Sequence, residues 1–374
     1  MAVLITGATG HLGPHLIAEL LRAGDFDRIY LAARRNHEPA VLRASAVERT
    51  ARAQLSRAGI VASRTTIIPI DADRLVLPAG DIRSIMADVS VIVHAAADTR
   101  FAAPIDILRT ANVGGTLAVC RLAEQCPRLR QLLFVSTACV AGRRTGRIQE
   151  RPLDDSAGFA NAYEQTKWEA EQVVIAARLP ARLARLTTCA GSHLTGYVHR
   201  FGALHHLLHW MSRGLVPMMP GTAETPIDVM STDLAAAWIA RAAAVDPHGL
   251  DVCHVALGND GVPLAALLDF ILPLLDENRR GRFQRPLLVD EAVFQSFSDM
   301  VRLSGDALLA RVQASAAAVL PSLLHPKVYE TTAAERCWGG ALPYPDWKSL
   351  LSRVIAFGRA QRWGFLPSGE ACHA

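Results

Sequence analysis

Val3-Leu4-Ile5-Thr6-Gly7-Ala8-Thr9-Gly10-His11-Leu12-Gly13 runs a β-branched apolar stretch into a GxxGxxG turn that opens a helical pattern. Strand, glycine turn and helix in that order are the context a dinucleotide-binding turn requires. Gly7 permits the tight turn, Gly10 lets the backbone approach a pyrophosphate, and Gly13 lets helix and sheet pack closely. The helix N-terminus offers unpaired N–H groups to the anion, which places Thr9, His11 and Leu12 beside the cofactor as well. The competing reading is an ordinary strand–helix turn, against which its position at the head of an alternating chain counts.

Short apolar runs predict strands at Val3–Thr6, Arg28–Ala33, Thr65–Ile70, Val89–His94, Leu132–Ser136 and Ala181–Thr187. Helical patterns fall between them at His11–Ala23, Ala40–Ala58, Ile105–Gln125 and Asn161–Arg178, long enough for the crossovers of a parallel sheet covered on both faces. The predicted fold is α/β, a Rossmann-type doubly wound parallel sheet over 1–190. From Gly191 onward Pro217, Pro220, Pro226, Pro263, Pro273 and Pro286 cut the chain into shorter pieces. That reads as a smaller C-terminal substrate-binding lobe over 191–374, with about 225–257 returning to the dinucleotide-binding domain. There Ile227–Met230 is strand-like, and Ser231 or Thr232 can cap a helix starting near Asp233.

The chain has 374 residues with 51% apolar content, enough for one large core, and its net charge of +4 is spread rather than gathered into a nucleic-acid footprint. Seven cysteines without a CxxC pair fit neither a disulfide framework nor a zinc site. Reduced thiols in a cytoplasmic, soluble protein are expected. The apolar run Leu264–Leu275 is interrupted by Asp269 and Pro273 and falls short of the roughly 20 residues of a membrane span. His205, His206 and His209 lack an acid or cysteine to complete a ligand set, so no metal is expected.

At the end of the second predicted strand, where an NAD-preferring site carries an acid for the ribose 2′-hydroxyl, stands Ala32-Ala33-Arg34-Arg35. Two guanidiniums suit a 2′-phosphate, since arginine binds phosphate bidentately and stays charged. NADP(H) is the cofactor this predicts; a solvated loop with two ordinary arginines is the alternative. His94-Ala95-Ala96-Ala97 ends the fourth strand with small residues, as expected where backbone passes close under a cofactor.

Asn161-Ala162-Tyr163-Glu164-Gln165-Thr166-Lys167 begins a helical pattern, and a spacing of four puts the Tyr163 phenol and the Lys167 ammonium on one face. The cation is expected to lower the phenol's pKa from about 10 toward a range useful for proton transfer to a carbonyl oxygen. Upstream, Leu133-Phe134-Val135-Ser136-Thr137 is a buried-type strand that breaks into hydroxyls at its carboxyl end, where ligands bind in such sheets. Thr137, with Ser136 its rival, can hydrogen-bond a substrate oxygen; either can instead merely cap the strand. Asn112 either anchors a water relay behind Lys167 or bridges helix and strand.

TGATGHLG, HAAADTRF, NVGGT, FVSTACVAG and NAYEQTK, in this order over about residues 1–257, resemble the extended short-chain dehydrogenase/reductase superfamily, also called the NAD-dependent epimerase/dehydratases. Within it His94–Phe101, Val135–Gly142, Asn161–Glu171 and Arg185–Gly196 look most like the thioester reductases and the fatty acyl reductases of the male-sterility type. The resemblance implies a catalytic set of Thr137, Tyr163 and Lys167, Asp71 and Ala72 beside adenine, and Leu186, Thr187, Thr188 and Cys189 lining the nicotinamide. Leu186 departs from the superfamily, which usually has proline after the arginine. The implied activity is NADP(H)-dependent hydride transfer to a carbonyl or acyl-thioester carbon, with a ketone or alcohol dehydrogenase, a sugar epimerase and a non-catalytic NADP-binding sensor as rivals. The sensor needs no Tyr–Lys pair. Because the sequence starts at the first strand, an acyl-thioester is expected to arrive on a separate carrier protein or as a coenzyme A ester. Leu204, Leu207, Leu208, Trp210, Met211, Met218 and Met219 would suit an acyl chain or plain core, and Trp338, Tyr344 and Trp347 would close the lobe or line an acyl pocket.

Overall fold

Ala2, Val3, Leu4 and Ile5 are all buried because strand β1 (Ala2–Thr6) lies inside a parallel sheet with a neighbour on each side. The other strands are β2 (Arg28–Ala33), β3 (Thr66–Asp71), β4 (Val89–His94), β5 (Gln131–Thr137), β6 (Ala181–Leu186) and β7 (Leu250–Val255). Their order is β7-β6-β5-β4-β1-β2-β3, parallel throughout, so the winding reverses between β1 and β4. This is the Rossmann-type α/β sheet, and the crevice beyond that reversal is where such sheets take their ligands. The computed structural model describes residues 1–34, 39–63, 65–71, 80–101, 103–276, 285–316 and 320–365.

Helices α1 (Gly13–Ala23), α2 (Ala40–Arg57) and α3 (Gly80–Asp88) follow the first three strands. After β4 the chain forms a short helix at Ile105–Leu108, widens into a π turn at Arg109–Gly114 and tightens again into α4 (Gly115–Glu124). α5 (Ala162–Ala176) is capped by Asn161, whose Oδ1 accepts from Glu164 N at 2.9 Å while Glu164 Oε2 accepts from Ala160 N at 2.9 Å. This reciprocal bonding fixes where the helix carrying Tyr163 and Lys167 begins.

Two helices, α6 (Ala203–Ser212) and α7 (Thr232–Ala244), precede the last strand of the sheet. α7 is capped by Ser231, and β7 follows it as the edge strand. Ile227–Met230 is not one strand. Pro226–Ile227 pairs antiparallel with Val262–Pro263, whereas Val229–Met230 pairs parallel with Thr188–Cys189. Asp228 divides them because its carboxylate accepts from Thr187 Oγ1 at 2.7 Å and from Leu257 N at 2.8 Å, pinning the segment across the ends of β6 and β7.

A second apolar cluster gathers Leu207, Leu208 and Met211 of α6, Leu268 and Ile271 of α8 (Leu264–Leu275), and Leu351 of the helix Trp347–Ala360. The strand Lys327–Tyr329 runs parallel to Gly146–Ile148, which brings the C-terminal part of the chain beside the carboxyl end of β5. Glu150 fastens this attachment: its carboxylate accepts from His254 N at 2.8 Å and from Ala334 N at 3.0 Å at the start of the helix Thr332–Trp338, and burial pushes its pKa up to about 7. Among the described residues no helix is long and apolar enough to cross a membrane.

Candidate active site

Gly7 has φ +76°, and a Cβ built on it would lie 2.4 Å from Ala96 N and 2.5 Å from Ala95 O. The chain beyond β4 thus passes directly against the turn, held by Ala95 N to Thr6 O at 3.2 Å and Ala96 N to Thr6 Oγ1 at 3.4 Å. A Cβ on Gly13 would sit 1.6 Å from Ala8 O, so the close entry of α1 also depends on glycine. These two positions leave a backbone cradle that side chains would fill, which fits a dinucleotide phosphate group. His11 turns away from it, bonding Thr232 Oγ1 at 3.0 Å, and burial brings its pKa down to about 3.

At the rim, Arg43 of α2 donates to Arg34 O at 2.8 Å and reaches Thr9 Oγ1 at 3.5 Å. Arg200 lies near enough to Arg43 for the two cations to repel, and no ion pair with a carboxylate forms at either among the described residues. Sequence reading found Arg34 but not Arg43 or Arg200, since nothing in the helical pattern of α2 or the loop before α6 marks them. Arg35, Ala72 and the Asp71 side chain lie outside the described residues; Asp71 ends β3 in register with Ala33.

Thr137 closes β5, its Oγ1 accepting from Cys139 N at 3.2 Å and lying in hydrogen-bonding reach of the Tyr163 phenol. Ser136, the rival, faces elsewhere: its hydroxyl donates to Glu171 Oε1 at 2.6 Å. Alternation along the strand sends the two hydroxyls to opposite faces. The ring of Phe101, from the HAAADTRF stretch, packs 4.7 Å from that of Tyr163. Lys167 is buried, donates to Val135 O at 3.0 Å and stands 4.2 Å over the Phe134 ring. Desolvation lowers its pKa to about 8, against the pull of Glu171. Contrary to the sequence expectation, the Tyr163 phenol is shifted up: burial is the largest cause, Cys139 adds to it, and the Thr137 bond opposes it only partly. Lys167 is turned toward the strand carbonyl, which is why its charge does little for the phenol.

Asn112 sits in the π turn with every side-chain group engaged: Oδ1 accepts from Asp98 N at 2.7 Å, and Nδ2 donates to Asp98 O at 3.1 Å and Thr166 Oγ1 at 3.1 Å. It clamps the loop after β4 onto α5, and Lys167 is not among its hydrogen-bond partners. Leu186 completes regular pairing with Val255 and Thr137, so the position that is usually proline is simply another strand residue. Thr187 hydrogen-bonds Asp228, and Thr188 and Cys189 pair with Val229 and Met230.

Beyond Thr137 opens a cavity of about 140 Å³ whose wall starts at Ala138, Cys139, Thr187 and Thr188. Leu204, Leu207, Leu208, Met211 and Met219 line it as the sequence suggested; Trp210 and Met218 do not. Trp210 packs on His209 and Phe365 instead. Nor do the C-terminal aromatics reach it: Trp338 faces Arg241, Tyr344 bonds Ala256 O, and Trp347 packs on Phe270. Asp228, His325, Lys327 and Tyr329 line the cavity as well and were missed, because the stretch that carries the last three has no motif.

The family model described as male sterility protein, an NAD-binding domain, matches residues 5–239. The chain belongs to this family. The male sterility family assignment places it among the extended short-chain dehydrogenase/reductase oxidoreductases with a nicotinamide-dinucleotide-binding domain. It is 32% identical over 235 residues to an isonitrile lipopeptide synthase of Streptomyces coeruleorubidus, covering 60% of this chain and 16% of that protein. It is 32% identical over 162 residues to chloroplastic fatty acyl-CoA reductase 2 of Arabidopsis thaliana, covering 40% of this chain and 26% of the relative. The chain thus spans about a quarter or less of these curated relatives. In fold, it resembles the terminal R domain from the myxalamid PKS-NRPS biosynthetic pathway, with a TM-score of 0.76 at 22% identity over 97% of this chain and 91% of that one.

Proposed function

We propose that this male sterility family protein is an NADPH-dependent acyl-thioester reductase whose acyl group arrives on a carrier protein or on coenzyme A. The observation that carries the reading is a cavity that begins at Ala138 and Cys139, the residues directly after Thr137 in the chain, and runs along a wall of leucine and methionine side chains. The leucine and methionine side of the cavity suits an acyl chain. The fatty acyl-CoA reductase and lipopeptide synthase relatives support the same substrate class.

In this proposal Gly7, Gly10 and Gly13 hold the cofactor's pyrophosphate at the start of α1, Arg34 and Arg43 hold a 2′-phosphate, and Ala95 to Ala97 and Leu186 to Cys189 bound the rest of the cofactor. The bound nicotinamide supplies the hydride. Thr137 and Tyr163 donate to the substrate oxygen as negative charge grows on it, and Tyr163 gives up its proton there. A phenol held above its ordinary pKa stays protonated until that charge develops, which suits an acid. Lys167, held by Val135 O, keeps its remaining donors for the cofactor's ribose, and Asn112 keeps the loop after β4 fixed on α5. Expulsion of a thiol from the resulting hemithioacetal leaves an aldehyde.

The purified protein, NADPH and a panel of acyl thioesters and simple ketones test this. NADPH absorbance should fall with thioesters, and mass spectrometry should find aldehyde or alcohol. Brisk turnover of ketones with no product from any thioester would overturn the proposal.

A further inference from the structure

The cavity is not uniformly apolar. Lys327 and Tyr329 stand two residues apart on one short strand, so both project to the same side, and both line the cavity opposite the α6 leucines. Among the described residues Lys327 Nζ makes one hydrogen bond, to His325 O at 2.9 Å, and the Tyr329 hydroxyl makes none. An ammonium has three donors, and desolvation here already depresses its pKa, so leaving two of them without an acceptor is unfavourable. The free donors face the cavity near Cys139, two residues beyond Thr137. Leu267, Leu268, Ile271 and Leu351, which also line it, carry no hydrogen-bonding side chain.

Resting on the thioester-reductase reading, we propose that the acyl group bears a neutral acceptor oxygen a few carbons from the thioester carbonyl, received by Lys327 Nζ and Tyr329 Oη, with an apolar remainder lying along the leucine wall. A carboxylate in that place would meet Asp228, which lines the same cavity, and Glu164, whose charge already faces Lys327. A hydroxyl or keto oxygen satisfies the donors without adding a third negative group. The substrate class is therefore an oxygenated, otherwise apolar acyl thioester, and a saturated acyl chain leaves both donors unpaired.

The test compares decanoyl-pantetheine with 3-hydroxydecanoyl-pantetheine, whose arm is common to coenzyme A and carrier proteins, following NADPH absorbance and identifying products by mass spectrometry. The wild type should prefer the hydroxylated ester by about tenfold or more in kcat/KM, as expected for a hydrogen bond from a charged donor. Lys327→Met should bring that ratio close to one. Tyr329→Phe, which removes a single oxygen and keeps the ring, should lower it severalfold should the lysine variant fold poorly. Equal kcat/KM for the two esters in the wild type, or a preference that survives both substitutions, overturns the inference while leaving the reductase reading standing. If neither ester is reduced while simple ketones are turned over briskly, the reductase reading fails and takes this inference with it.

Discussion

Lys167 and Arg185 are equally hidden from solvent, at 2% and 0% exposure, and are partnered in opposite ways. Arg185 holds Glu171 through two bonds of 2.9 and 2.7 Å, donates to Arg151 O at 3.0 Å and touches His254. Lys167 has one carbonyl. Glu171 lies one helical turn beyond Lys167 on α5 yet gives both oxygens to the arginine. Under the proposed function, the difference separates a structural charge from one kept for chemistry. A cation whose donors are filled by a carboxylate is fixed and silent, whereas one left under-partnered in a dry site can respond when charge appears nearby.

The largest effect expected on the chemical side of this contrast is that of Tyr163→Phe. Removing the phenolic proton should lower kcat by about 10²–10⁴, the usual worth of a positioned general acid. Cofactor affinity should stay within about twofold, because the phosphates are held by other residues. Single-turnover kinetics together with NADPH titration separates the two. Near-normal turnover of the preferred substrate would show that the acid lies elsewhere.

The structural side is tested by Glu171→Ala, which strands Arg185 in the core without its counter-charge. Loss of one partner of a buried pair costs about 3–5 kcal/mol, measurable by denaturant unfolding. Lys167→Met is the matched control: it removes a desolvated charge that has no carboxylate to leave behind, so it should unfold no earlier than the wild type although it loses activity. Comparable destabilisation by both variants would erase the distinction drawn between the two cations.

Much of this was legible before the fold was known, and for a physical reason in each case. Buried parallel strands are written as continuous apolar runs, and Val3–Thr6, Arg28–Ala33 and Val89–His94 stand out as such. Tyr163 and Lys167 were readable because four residues make one helical turn, and Thr137 because β5 ends there. The edge strand β7 was harder, since Leu250–Val255 includes Asp251 and His254, whose polar groups are met by Arg182 and Glu330. Partners brought together over long separations left no local mark. Glu171 with Arg185, Arg43 with Thr9, and Lys327 beside Cys139 each depend on elements packed by the tertiary fold. The expected pKa shift of Tyr163 failed in the same way, because burial, which sequence does not display, outweighs the helical neighbour.

The under-partnered lysine should also show itself in the pH dependence of stability. Its pKa falls from 10.5 to about 8 on folding. Below pH 8 both folded and unfolded chains carry the proton, and the full desolvation penalty is present. Between about 8 and 10.5 the unfolded chain binds more protons than the folded one, so stability rises with pH there, by at most about 1.4 kcal/mol per unit. Unfolding free energies of wild type and Lys167→Met, measured side by side, cancel the other titrating groups. The difference should shift in favour of the wild type as pH climbs through that window, and a flat difference would mean that the ammonium is better solvated than its surroundings imply.

The smallest expected effect concerns a cluster of cations at the surface. Arg34 and Arg43 converge at the rim of the glycine turn, with Arg200 repelling Arg43 from the other side, and among the described residues no carboxylate pairs with Arg43 or Arg200. Like charges gathered this way are unfavourable until an anion joins them, and a 2′-phosphate offers the bidentate geometry that guanidinium groups bind. Solvent screens such a site far more than the core around Lys167, so each arginine should contribute modestly. Arg43→Ala is therefore expected to weaken NADPH binding about tenfold, or about 1.4 kcal/mol, and to leave NADH within about twofold. The loss should shrink as ionic strength rises, which calorimetric titration at two salt concentrations would reveal. Equal weakening of both cofactors would instead assign Arg43 to holding the turn through Arg34 O and Thr9, a structural duty like that of Arg185.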